Sequence, residues 1–344
     1  MSKIKKLLIF FAKWTLISLL TIILLVIGYF EYKEIPIYDY ILAYKFMKGD
    51  QNYTQYENIA QKLGYKKEDK LLIIHADDLG LSNSVNKASL EALKNGSVNS
   101  ASVMMTCEKI YEISEFSKLN PEIDFGVHLT VTSEWKHYKW DGVLDSSVIP
   151  SLINSEGSLY ENIKLVTLNA AVKQLKKELQ AQIDLAKSLG INISHIDSHE
   201  GALFFKKEFF KAYLELADEN NLAVFVPDLV TVQFDDNFNQ PENLVIIDEL
   251  YMAENGMNPN DFEDFYVDIL NNLKPGLNQI LVHLGYDDEE MKKITIDHPN
   301  FGSEWRLEDL NVITSKKFKN TLIENNIKLV NWREIQNVIY PSRP

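Results

Sequence analysis

From residue 70 onward, apolar runs alternate with polar stretches whose apolar residues recur at helical spacing. The apolar runs predict strands over 71–76, 99–105, 124–131, 193–197, 222–226, 244–248, 278–284 and 327–331. The stretches between them predict helices over 84–95, 108–119, 169–189, 206–220, 260–273 and 316–325. In the longest, Val172, Leu175, Leu179, Ile183 and Ala186 share one face and Gly190 ends the helix. Leu71-Leu72-Ile73-Ile74 is apolar without alternation, which marks a strand buried on both faces, as in a parallel sheet. Strand and helix alternating to the end of the chain predict an α/β protein, either a (β/α) barrel or a doubly wound sheet. Segment 132–168 departs from this pattern and carries Trp135, Tyr138, Trp140 and Tyr160. A loop this long on an α/β scaffold is more often functional than accidental.

The N-terminus follows a different rule. Lys3, Lys5 and Lys6 precede an apolar stretch from Leu7 to Phe30 that only Lys13 interrupts. That length spans a bilayer as a helix, and the lysines place the N-terminus inside. No small-x-small cleavage site follows, so the expectation is an uncleaved signal-anchor. The predicted organisation is cytoplasmic lysines and a transmembrane helix over 1–32, a tyrosine-rich connector over 33–69, and a catalytic domain over 70–340. This domain is expected on the extracytoplasmic side of the cytoplasmic membrane, held by a single pass.

Composition narrows the chemistry. The chain has 344 residues and a net charge of −14, so it offers no basic field for nucleic acid. Its single cysteine, Cys107, excludes a disulfide framework and a cysteine-rich zinc site. Any metal must be held by Asp, Glu and His. There is no Gly-x-Ser-x-Gly and no phosphate-binding glycine loop.

Strand ends carry the ionisable groups. The first strand delivers the adjacent carboxylates of Asp77 and Asp78 to Gly80. Neighbouring carboxylates repel unless a cation or a proton is shared. Phe125-Gly126-Val127-His128 places His128 at a strand exit, and Ile280-Leu281-Val282-His283 ends another strand in His283. His195, Asp197 and His199 lie two residues apart and face one side of a strand. Five of the seven histidines fall in these segments. In one barrel their C-terminal ends converge. An Asp with two His suits a divalent cation whose open positions hold water, and that water becomes a nucleophile near neutral pH. Residue chemistry alone leaves His195 and His199 as alternative ligands.

His75-Ala76-Asp77-Asp78-Leu79-Gly80-Leu81-Ser82, Gly126-Val127-His128-Leu129, His195-Ile196-Asp197-Ser198-His199 and the strand-end His283 together resemble the YdjC/ChbG-like carbohydrate deacetylases, in order and across about 70–340. The resemblance implies a deformed TIM-like (β/α) barrel and metal-dependent removal of N-acetyl groups from an amino-sugar-containing oligosaccharide or glycan. It implies Asp77 as general base, His283 as general acid, and Asp78, His128 and His199 as ligands of a divalent metal, Zn or Mg. His195 and Asp197 would orient those ligands. Trp135 and Trp140 are the expected sugar-contacting residues. Many relatives carry a further histidine where this chain has Gly201. Two alternatives stand beside this reading: another metal-dependent hydrolase acting on a phosphoester or amide, and a non-catalytic sugar-binding envelope protein.

Overall fold

The structure, a computed structural model, describes residues 59–233 and 241–341 together with Lys13, Trp14, Ser18 and Thr21. The chain divides into two units, Met1–Gln51 and Asn52–Pro344. In the first, the four described residues are helical and exposed. The rest of the expected transmembrane segment lies outside the described residues. Among the described residues no helix is long and apolar enough to cross a membrane.

The second unit is built on parallel strands: β1 (Lys70–Leu79), β2 (Ser100–Val103), β3 (Phe125–Leu129), β4 (Ile193–Ser198), β5 (Ala223–Val224), β6 (Glu249–Tyr251), β7 (Gly276–Val282) and β8 (Lys328–Leu329). Its helices are α1 (Ile59–Lys62), α2 (Asn83–Lys94), α3 (Ile110–Leu119), α4 (Ile163–Asn169), α5 (Val172–Ser188), α6 (Lys207–Asn220), α7 (Phe262–Asn272), α8 (Glu289–Ile294), α9 (Ser303–Thr314), α10 (Lys316–Glu324) and α11 (Trp332–Ile339). The strand order is β5-β4-β3-β2-β1-β7-β6, with β8 paired to β1. The two ends of this curled sheet meet at one bridge, Pro227 to Ile247. There Ile247 N donates to Val226 O and Asp228 N donates to Ile247 O, both at 2.9 Å. The result is a deformed (β/α) barrel with a weak seam, as parallel alternation allowed.

β1 is the hub. Lys70 to Ala76 pair with β7, Leu71 and Leu72 with β8, and His75 to Leu79 with β2. Leu71, Leu72 and Ile73 are fully buried. Each such side chain contributes roughly 1.5–3 kcal/mol. Asn99 fills the gap between β8 and β2: its side chain accepts from Ile74 N at 2.9 Å and donates to Val330 O at 2.8 Å.

Expectations needed correction at one strand and at helices outside the predicted ranges, α9 and α11 among them. The apolar run 244–248 is buried at Leu244–Ile247 but extends as a strand only from Glu249, because Asp248 turns its carboxylate onto Leu277 N. The run signalled burial, and its pairing is confined to its end, where Ile247 bridges to Pro227. α9 was not expected at all: it buries Arg306 and Asp309 together with Trp305, Leu310, Val312 and Ile313, so it shows no apolar stripe. By contrast α5 matches its pattern, with Leu175, Leu179, Ile183 and Ala186 buried. The same face buries Glu178, whose carboxylate accepts from Val143 N at 2.7 Å and Leu144 N at 2.9 Å. Gln182 accepts from Thr130 N and donates to Thr130 O. These bonds fasten the root of the aromatic loop to the barrel.

Candidate metal centre and active site

The parallel register stacks the inward residues in layers. His75 is level with Ser100, Gly126 with His195, and His128 with Asp197. In the deepest layer small residues leave room for imidazoles. A Cβ on Gly126 would stand 2.4 Å from His195 Nε2, so glycine is required there. His195 Nδ1 meets Ser194 Oγ at 2.7 Å, and its ring stacks on Trp332 with centroids 5.5 Å apart. Burial, then the neighbouring charge of His75, holds its proton affinity well below the usual range, so it is neutral.

Asp197 lies in the next layer. Its Oδ1 meets His128 Nδ1 at 2.7 Å and its Oδ2 meets His75 Nε2 at 3.0 Å. His75 also reaches Asp77 Oδ1 at 3.2 Å and Ser100 Oγ at 3.0 Å. Burial opposes its charge, but Asp197 and Asp77 more than offset this and raise His75 to about 9. It is therefore a cation locked between two carboxylates.

Three atoms converge in the layer above. Asp78 Oδ1 is 3.4 Å from His128 Nε2 and 3.4 Å from His199 Nδ1, and those two nitrogens are 3.1 Å apart. Ligand atoms around a four-coordinate cation with bonds of about 2.0–2.1 Å stand roughly 3.3–3.4 Å apart. Asp78 Oδ1 is buried without a hydrogen-bond partner, a cost that a cation would remove. Asp78 reaches this position with φ +68°, a left-handed conformation uncommon for a side chain other than glycine. An Asp/His₂ set with these spacings fits a divalent metal. Each ligand is also held from behind: Asp78 Oδ2 by Arg306 Nη2 at 2.7 Å, His128 by Asp197, and His199 Nε2 by Glu134 Oε2 at 3.2 Å.

Asp77 and His283 stand beside the three ligands. His283 Nε2 is 4.0 Å from Asp77 Oδ2, and its backbone N donates to Asp309 Oδ2 at 2.9 Å. Burial, reinforced by the Arg306 charge, lowers His283 to about 4. Four carboxylates (Asp77, Asp78, Asp197 and Glu134) face one guanidinium and the His75 cation here. The pocket is short of positive charge. Burial again opposes, yet Glu134 and Asp78 raise His199 to about 10, and Asp77 and Asp197 raise His128 well above its usual range.

Residues 71–324 match the family described as YdjC-like protein. The chain belongs to the YdjC-like family. A carbohydrate deacetylase of Thermoanaerobacter pseudethanolicus is 28% identical over 265 residues, covering 76% of this chain and 98% of the relative. A chitooligosaccharide deacetylase of Yersinia enterocolitica is 24% identical over 274 residues, covering 77% and 99%. A solved protein of Enterococcus faecalis shares the fold with a TM-score of 0.64 at 22% identity, covering 78% of this chain and 99% of its own.

The structure of this YdjC-like protein brings Asp77, Asp78, His128, Asp197, His199 and His283 into one constellation, with His195 beneath it. Trp135 and Trp140 are only 4% and 5% exposed. Trp140 Nε1 donates to Thr132 O at 2.7 Å and its ring lies 6.1 Å from His199, while Trp135 packs 5.4 Å from the Arg306 guanidinium. Both wall the site, and neither presents an open face. Gly201 adopts φ +65° beside Glu200 at φ +53°, so the chain turns sharply after His199. Sequence reasoning missed His75, Glu134, Arg306 and Asp309 as site residues. The two-residue spacing of His75 from Asp77 was a usable signal. Arg306 and Asp309 gave none, since a buried charge on an unpatterned helix reads as surface.

Proposed function

We propose that this YdjC-like protein is a metal-dependent hydrolase that removes N-acetyl groups from an amino-sugar-containing oligosaccharide. The carrying observation is the convergence of Asp78 Oδ1, His128 Nε2 and His199 Nδ1 within 3.1–3.4 Å beside a carboxylate and an imidazole that are not among them. The names of the deacetylase relatives support the substrate class. A divalent cation, Zn or Mg, held by Asp78, His128 and His199 would activate water and polarise the acetamide carbonyl.

The protein's own groups manage the protons. Asp77, fixed by the His75 bond at 3.2 Å, accepts the proton of the attacking water. His283 is neutral at physiological pH and stands across from Asp77. It therefore takes up the proton that Asp77 accepted from water, 4.0 Å away, and passes it to the departing amine, which leaves Asp77 ionised for the next turnover. Asp309 on its backbone N–H and Phe301 against its ring, 4.8 Å between centroids, hold it in place. Sugar contact by Trp135 or Trp140 requires the loop that buries them to shift. Placement outside the cytoplasmic membrane rests on the apolar run Leu7–Phe30.

The test is Asp77→Asn, which keeps shape and removes the base. The variant should stay folded by circular dichroism and bind metal as the parent does, melting lower through the lost His75 pairing, while acetate release falls by about 10²–10⁴. Full turnover in this variant would refute the role.

A further inference from the structure

The residue that holds His199 comes from the aromatic loop. His199 follows β4 at the start of a 3₁₀ turn, where Glu200 and Gly201 are both left-handed and no ladder partner fixes its ring. An imidazole has two nitrogens, and which one meets a metal is set by the bond the other makes. Here Nδ1 faces Asp78 and His128, while Nε2 faces Glu134 Oε2 at 3.2 Å. Trp140, from the same loop, packs its ring T-shaped against the imidazole, with centroids 6.1 Å apart.

Glu134 is itself well anchored. Ser133 N donates to Tyr160 O at 2.8 Å, closing the loop on its far end. Ser133 Oγ accepts from Trp140 N at 3.0 Å, and Ser133 O accepts from Lys139 Nζ at 2.6 Å. Glu178 and Gln182 fasten the loop's roots to α5. His128 receives the matching treatment from Asp197, which is part of the barrel. One histidine is thus oriented by the sheet and the other by the loop.

We propose that Glu134 is a positioning residue that fixes His199 with Nε2 protonated and Nδ1 free for the metal, and so ties the loop carrying Trp135 and Trp140 to the metal centre. Metal binding then orders the loop, and the docked loop tightens metal binding by the same factor. This rests on the metal-site reading above.

The experiment uses the full chain and Zn²⁺ with a competing chromophoric chelator. The parent is measured first: failure to bind Zn²⁺ overturns the metal-site reading and this inference with it. Given binding, Glu134→Leu removes the acceptor and should weaken Zn²⁺ affinity by about 10–100-fold. Glu134→Gln keeps an acceptor oxygen at the same reach and should restore affinity to within about threefold of the parent. Long-range ¹H–¹⁵N spectra should show His199 bound through Nδ1 in the parent and the Gln variant. Amide exchange at Ser133 and Trp140 should slow on Zn²⁺ addition in both, but not in the Leu variant. Equal affinity in parent and Leu variant, equal loss in Leu and Gln variants, or His199 bound through Nε2 overturns the proposal. Circular dichroism confirms that each variant is folded.

Discussion

Arg306→Met is the substitution whose outcome depends most on the charge balance of the pocket. Arg306 is 1% exposed, donates through Nη2 to Asp78 Oδ2 at 2.7 Å and through Nε to Phe301 O at 2.7 Å. Burial pushes the Asp78 carboxyl upward, but Arg306 first, then His128 and His199, hold it well below its ordinary range. Removing one partner of a buried pair costs about 3–5 kcal/mol, because the other charge is stranded. At about 2–4 °C per kcal/mol, the metal-free variant should melt roughly 6–20 °C below the parent. With metal bound, the cation compensates Asp78. The remaining loss, chiefly the Phe301 bond, is about 1–2 kcal/mol. The thermodynamic cycle then requires the variant to bind metal more tightly. A difference of about 2 kcal/mol corresponds to roughly thirtyfold. The assay is thermal unfolding of both proteins in chelator and in saturating Zn²⁺, with affinity measured by competition. Equal destabilisation in the two states, or weaker metal binding in the variant, would refute the charge argument and make aiming of the Asp78 carboxylate the main role of Arg306.

Other consequences are as direct. Gly126→Ala places a Cβ 2.4 Å from His195 Nε2, so it should destabilise the fold by about 1–3 kcal/mol or more, and unchanged denaturant unfolding would contradict the layer packing. His128 and His199 are raised in the metal-free pocket and lose their protons to free the ligating nitrogens. Metal uptake near pH 7.5 should therefore release one to two protons, about the number of ligand histidines. Affinity should climb with pH until His199 titrates near 10, and calorimetry showing no buffer dependence would contradict this. Burial raises Asp309 to about 7 against the pull of the His283 N–H and the Tyr266 hydroxyl. Its folded value exceeds the unfolded value of about 3.9, so its contribution is full below pH 4 and lost as pH rises through 7. The parent should lose stability relative to Asp309→Asn across that window, and a pH-independent difference would show that Asp309 does not titrate there.

Period-two and period-3.6 patterns made most of the scaffold legible, because in a parallel sheet burial on both faces writes itself as apolar runs such as Leu71–Ile74. The strand-end motifs located the constellation because alternation fixes which residues share a face, as His195 and Asp197 do, with His199 one residue past the end of β4. What escaped was carried by contacts between distant segments. Arg306 and Asp78 are adjacent only after folding. α9 hides two buried charges where a stripe would be expected, and Glu134 sits in a loop whose order comes from Glu178 and Gln182 far along the chain. The aromatic loop was legible as functional by its length and composition, but the burial of its tryptophans was not.

The central claim is tested most directly by acetate release from a panel of N-acetylated oligosaccharides, using protein stripped by chelator and then restored with Zn²⁺ or Mg²⁺. The account predicts acetate from at least one amino-sugar oligomer, lost on stripping and recovered with metal. Undiminished turnover after complete removal of metal would contradict it.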